Sequence, residues 1–149
     1  MRLSKNFVLS EITRSDTANR LGIDNEPTKK DLENIQRLIT NILQPLRNHL
    51  GPIRISSGYR SPSLNRAIGG SNRSQHSKAE ALDLQFWSEG KMNNKVIYDW
   101  ILDSGLEFDQ MINEFDFSWI HISLKKNSNR KQVLEAYKDK DGDTAYKLA

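Results

Sequence analysis

The residues best suited to chemistry in this chain are His76 and Asp83, in the run SQHSKAEALDL, and His121, in SWIHISL. The chain has three histidines, and two of them belong to this set. Two imidazoles and a carboxylate suit one zinc ion and leave a fourth coordination position open for water. An open position marks a catalytic metal site rather than a structural one. There is no cysteine, so no thiolate can serve as a ligand and no disulfide braces the fold. By spacing alone, the same three residues also fit ordinary surface positions. What separates the two readings is the set of elements that hold them.

A chain of 149 residues reads as one domain, residues 1–149. Folding at this length buries about 70% of the unfolded surface, enough for a core without staples. The balance of 36% hydrophobic and 28% charged residues fits a soluble globular protein. No apolar run approaches the roughly 20 residues of a membrane span. The N-terminal MRLSKNFVLSEITRSD has no apolar core of a signal peptide. The expectation is therefore synthesis in the cytoplasm, with another factor releasing the protein to its place of action. Net charge is +3, and the basic residues are scattered rather than striped. That pattern argues against specific nucleic-acid binding and favours an anionic polymer such as cell wall. A monomer is expected.

Leu9–Leu21 reads as a short helix stopped at Gly22. Thr28, with Asp31 as a near capping box, starts a long helix. Its stripe from Leu32 through Ile35, Leu38, Ile39, Ile42, Leu43 and Leu46 to Leu50 is core. Pro45 should kink it, and Gly51-Pro52 should end it. His49, near that end, reads as a surface residue favoured by the helix dipole. Pro52–Ser57 reads as a strand. Gly58–Ser74 is a long loop with one helical turn near Leu64–Ile68, and long loops in small domains are usually functional. Ala81–Phe86 is a strand. Lys95–Leu106 is a helix with Val96, Ile97, Trp100 and Ile101 inward. Phe108–Phe115 and Trp119–Leu124 form a hairpin, and Val133–Tyr137 adds a strand. The tail is polar. Asp139, Asp141 and Asp143 alternate like the start of a calcium loop, but Gly142 is misplaced and the distal Glu is missing, so this is a turn. Helices first and strands later predict an α+β fold, with N-terminal helices packed on a small, mostly antiparallel sheet.

Strand alternation tightens the metal reading. Leu82 and Leu84 share one face of their strand, and Ala81 and Asp83 share the other. Ile120, Ile122 and Leu124 face the core, which turns Trp119, His121 and Ser123 the opposite way. Asp83 and His121 then project from one surface of one sheet, and His76 reaches in from the preceding loop.

The surrounding residues carry a resemblance. Ser57-Gly58-Tyr59-Arg60-Ser61, then Ser74-Gln75-His76, Ala81-Leu82-Asp83 and Trp119-Ile120-His121 are similar to the signature of zinc peptidases that cut peptidoglycan bonds containing D-amino acids. These include D-alanyl-D-alanine carboxypeptidases, vancomycin-resistance D,D-dipeptidases and phage L-alanyl-D-glutamate endolysins. The N-terminal NFVLSEITRSDTANRLGIDN and the long helix also look like the small phage-associated branch. The resemblance spans roughly residues 3–137. It implies zinc bound by His76, Asp83 and His121, and a stem peptide of peptidoglycan as partner. Two positions depart. The glycine of the pattern is Ala79 here, and many relatives carry a catalytic Glu where this chain has Ser118.

The general base must then come from elsewhere. With a hairpin loop of two or four residues, Glu114 stands opposite Trp119 and on the His121 face, and a three-residue loop would turn it away. Glu80 and Asp116 are weaker candidates. Arg60, planar and permanently charged, suits a carbonyl oxygen or carboxylate of the substrate, and the resemblance puts this arginine in the substrate site. Ser74 is expected to hydrogen-bond substrate. Tyr59 reads as packing under the loop, Trp119 as pocket wall or hydrophobic cover, and Gln110 as a neighbour of Glu114. The expected function is zinc-dependent hydrolysis of a stem-peptide bond, as a phage or prophage endolysin or a wall-remodelling enzyme. The alternative is a non-catalytic wall-binding or virion structural module with the same fold.

Overall fold

In the computed structural model, which describes residues 1–149, the expected first helix is two. α1 (Leu9–Thr13) and α2 (Asp16–Leu21) part at Arg14 and Ser15. Ser15 is extended, and its hydroxyl accepts the Ala18 N–H at 3.1 Å. Such a cap is worth about 1 kcal/mol, so the chain restarts a helix rather than running through. Gly22 ends α2 in the left-handed conformation. α3 (Lys29–Leu38) opens on a full capping box between Thr28 and Asp31.

The kink expected at Pro45 takes another form. Ile39–Leu43 is a π-helical turn, and α4 (Gln44–Leu50) starts afresh with Pro45 in its first turn. Proline lacks an N–H, and its ring crowds the carbonyl four residues back. The wider turn relieves that crowding. It also keeps Ile39, Ile42, Leu43 and Leu46 completely buried on one side. Each such side chain contributes roughly 1.5–3 kcal/mol of burial.

β1 (Arg54–Ser57) leads to α5 (Pro62–Ala67), whose first turn is capped by Ser61. β2 (Ala81–Gln85) follows, then a small hairpin of β3 (Trp87–Ser88) and β4 (Lys91–Met92) that the sequence reading did not contain. α6 (Lys95–Ser104) ends at left-handed Gly105, with Ile97 and Ile101 fully buried but Val96 and Trp100 only half-buried. β5 (Gln110–Glu114), β6 (Trp119–Ser123), β7 (Gln132–Lys138) and β8 (Thr144–Leu148) complete the chain.

Six strands form one sheet in the order β1-β2-β6-β5-β7-β8. Every pair is antiparallel except β5 with β7. The α+β reading therefore holds. Leu82, Leu84, Ile120 and Ile122 pack with the helices in one continuous core on one sheet face. The polar tail is corrected. Only Asp139–Asp143 is turn, where the Asp139 carboxylate accepts the N–H groups of Asp141 and Asp143, and Thr144–Leu148 is a strand.

Candidate metal centre and cleft

Asp83 on β2 and His121 on β6 are directly paired across the sheet. Their neighbours Leu84, Ile120 and Ile122 point into the core, so pleating turns both polar side chains to the opposite face. His121 Nδ1 lies 3.2 Å from Asp83 Oδ1. His76 Nε2 lies 3.3 Å from the same oxygen. The three donor atoms fall within 4.8 Å of one another. A tetrahedral site with bonds of about 2.0–2.1 Å has ligand–ligand edges of roughly 3.3 Å. The side chains present therefore fit a zinc ion.

His76 is aimed by its other nitrogen. Nδ1 donates to the Gly58 carbonyl at 2.8 Å, which leaves Nε2 free as a ligand. Gly58 is irreplaceable on steric grounds, because a Cβ there would sit 2.2 Å from the Ile12 backbone oxygen. Close approach to α1 brings its carbonyl to the histidine. His76 also lies in a turn closed by paired bonds, Glu80 N–H to Gln75 O and Ala79 N–H to His76 O. That pairing is the Schellman arrangement, which demands a left-handed residue at its penultimate position. Ala79 fills it with φ +58°. The motif glycine is therefore explained, and alanine here costs about 1–2 kcal/mol.

Burial alone would raise the Asp83 pKa, but hydrogen bonds from His121 and His76 outweigh it and hold the carboxyl well below the usual range. Asp109 supports the site from outside. It is fully buried, accepts Gln75 Nε2 at 2.9 Å, and takes Arg130 through Nε at 3.0 Å and Nη2 at 2.7 Å. The residue before His76 is thereby tied to the start of β5. Nothing in the sequence pattern singled out Asp109, since its partners Gln75 and Arg130 come from two separate segments.

A cavity of about 500 Å³ opens over the three ligands. Glu114 lines it, opposite Trp119 as the four-residue loop Phe115–Ser118 requires. Glu114 is 8% exposed. Burial raises its pKa, the nearby His121 opposes that, and the Asp83 charge adds to it. Arg60 reaches the cavity from the loop after β1; burial lowers its pKa and the Asp83 charge partly restores it. Its Nη2 donates to Ser74 Oγ at 3.2 Å, and the same oxygen accepts the His76 N–H. Ser74 thus braces the loop as well as facing the cleft. Gln110 shares the Glu114 face but donates to Gln132 instead. Trp119 forms a wall with Phe115.

The remaining candidates lie elsewhere. Ser118 is a turn residue whose hydroxyl donates to the Phe115 carbonyl at 2.7 Å. Asp116 is exposed at the turn tip, and Glu80 is absent from the cavity lining. Tyr59 is buried beneath the loop, where burial and the Asp31 carboxylate push its pKa up to about 12. His49 stacks on Trp100 and is absent from the cavity lining. The sequence reading missed Thr144 and Tyr146 of β8 and Arg73, all of which line the cavity. An Asp141-Gly142 pair before the alternating Thr144-Ala145-Tyr146-Lys147-Leu148 was the available hairpin signal.

No curated protein matches the chain. A sequence model of the family described as Peptidase M15 matches residues 5–123, from before α1 to the end of β6, and so takes in every one of the three ligands. With most of its length matched and a histidine–aspartate–histidine group that suits the metal, the chain belongs to the Peptidase M15 family of zinc metallopeptidases.

Proposed function

We propose that this protein hydrolyses a peptide bond in the stem peptide of bacterial peptidoglycan, acting at the cell wall in a phage or prophage lysis setting. The observation that carries the reading is Glu114, a buried carboxylate in the same cleft as His76, Asp83 and His121. A zinc ion held by those three residues would supply a Lewis acid for the scissile carbonyl and a water acidified to a pKa of around 7. Glu114 takes the proton of the attacking water and returns it to the leaving amine. Arg60 grips the carbonyl oxygen as charge develops, or a substrate carboxylate, with Ser74 as its brace. Trp119 and Phe115 offer an apolar wall for the substrate on that side of the cleft.

Mass analysis of purified peptidoglycan after digestion tests the activity and identifies the bond together. Release of peptide or D-alanine that stops on chelation is the expected result. Glu114→Ala should lower kcat by about 10²–10⁴-fold, the share of a general base. Full activity in Glu114→Ala would remove it as the base. A zinc-loaded wild type that releases nothing would favour the second reading, a wall-binding or virion structural module, which Ser118 at the usual Glu position supports.

A further inference from the structure

The cleft continues well past the metal-binding residues, and its far wall is β8. Strand register explains how. Trp119 pairs with Glu114, Glu114 with Ala136, and Ala136 with Tyr146. Paired residues share a sheet face, so one row of side chains runs from beside His121 to the last strand. In its middle Ala136 adds only a buried methyl group, and Glu114 and Tyr146 on either side of it both line the cavity. The adjacent row places Leu134 on the floor, and Thr144 lines the same cavity. The alternate residues of β8 point away: Lys147 faces Glu135 and lies over the Tyr137 ring on the opposite side. Tyr146 is 54% exposed, so its ring is available to a ligand. Besides partial burial, the Glu114 and Asp83 carboxylates raise its pKa.

Neighbouring strands lie about 4.8 Å apart, so β6 to β8 is roughly 14 Å. An extended peptide covers that distance in about four residues. The family match ends at residue 123, before β7 begins, so this wall is built by a part of the chain outside the matched region. Resting on the peptidase reading above, we infer that the β7–β8 hairpin carries a distal peptide subsite, with Tyr146 packed against a substrate residue three to four positions from the cleaved bond. The aromatic face suits an aliphatic side chain, and the hydroxyl suits a polar end group or a peptide carbonyl. Such a site favours an endopeptidase working on extended stem peptides over an enzyme that trims a dipeptide.

The test uses the zinc-loaded full chain and synthetic stem peptides lengthened stepwise on each side of the cleaved bond, from about two to about six residues. Wild-type kcat/KM should rise about tenfold when the peptide first reaches β8, as expected for one well-packed aromatic contact. Tyr146→Ala should erase that gain through KM and leave the shorter peptides within about twofold. Tyr146→Phe should keep most of it. A wild type indifferent to length overturns the subsite, and so does Tyr146→Ala slowing all lengths equally. If the wild type cleaves no peptide of any length, the hydrolase reading falls first and the subsite with it.

Discussion

Gly58 fixes the orientation of His76, whereas Ser118 leaves the general base to be supplied from elsewhere. Gly58 has no room for a side chain against the Ile12 backbone, and its carbonyl holds His76 in the ligating tautomer. Gly58→Ala should cost about 1–3 kcal/mol as overpacking. It should also weaken zinc binding about 10–100-fold, the usual effect of disturbing a ligand's hydrogen-bond partner. Thermal unfolding and a competitive chelator titration measure the two separately. Ser118 sits where a catalytic carboxylate is usual in relatives, yet its hydroxyl only closes the Phe115–Ser118 turn. Ser118→Ala should therefore leave kcat within about threefold in a peptidoglycan assay, while Glu114→Ala abolishes most of it. Equal losses in both variants would show that the turn, and not the carboxylate, governs the rate.

At the scale of elements, the loop bearing His76 depends on Asp109. The carboxylate joins Gln75, Arg130 and Lys125 at the head of β5 and is shut off from solvent. Burial opposes its ionisation, but the Arg130 and Gln75 hydrogen bonds prevail and keep its pKa below the ordinary carboxylate value. A depressed folded pKa gives stability that is complete above the unfolded value of about 3.9 and is lost as pH falls below it. Asp109→Asn should destabilise by about 1.5–3 kcal/mol at neutral pH, since it weakens charge-assisted hydrogen bonds from the half-exposed Arg130 and from Gln75. Denaturation curves recorded from neutral to acid should show that deficit shrinking below about pH 4. A deficit that stays constant with pH would mean packing, not charge, is what Asp109 contributes. The β5–β6 connection is the other decisive element. Phe115, Asp116 and Phe117 all have positive φ, at 49°, 55° and 61°. Asn113 Oδ1 accepts the Phe117 N–H at 2.6 Å, and Asn94 Nδ2 donates to the Phe117 carbonyl at 2.8 Å. One local and one tertiary bond thus hold a strained four-residue turn, and that length puts Glu114 on the His121 face.

Across the whole molecule, a metal held by His76, Asp83 and His121 would link binding to folding. The ligands come from a loop, β2 and β6, segments that meet only in the folded chain. An ion that binds the folded state alone stabilises it by about 2.7 kcal/mol at a hundredfold excess over its Kd. For a domain of this size that corresponds to a rise in Tm of roughly 5–10 °C. Scanning calorimetry with and without zinc should show it, and Asp83→Asn should remove most of the rise. An unchanged Tm in the wild type would mean that the three residues do not hold zinc tightly.

The grouping of His76, Asp83 and His121, the helical core stripe and the faces of β2 and β6 were legible in the sequence. Each rests on a local rule: residue chemistry, a period of 3.6, or alternation along a strand. Leu82, Leu84, Ile120 and Ile122 mark the core face without help from the rest of the fold, and so place Asp83 and His121 opposite. The departure at Ala79 was readable as a motif glycine replaced, and the structure supplied its positive φ. Three things needed the folded chain. The turn before β6 has no glycine to announce its left-handed residues, so its length and the direction of Glu114 depend on Asn94 and Asn113. Asp109 gains its role from partners far apart in sequence. Tyr146 enters the cleft only because β7 runs parallel to β5 and brings β8 after it, a long-range pairing that no local pattern encodes. Local rules thus determined which residues could bind the metal, and strand order determined what surrounds it.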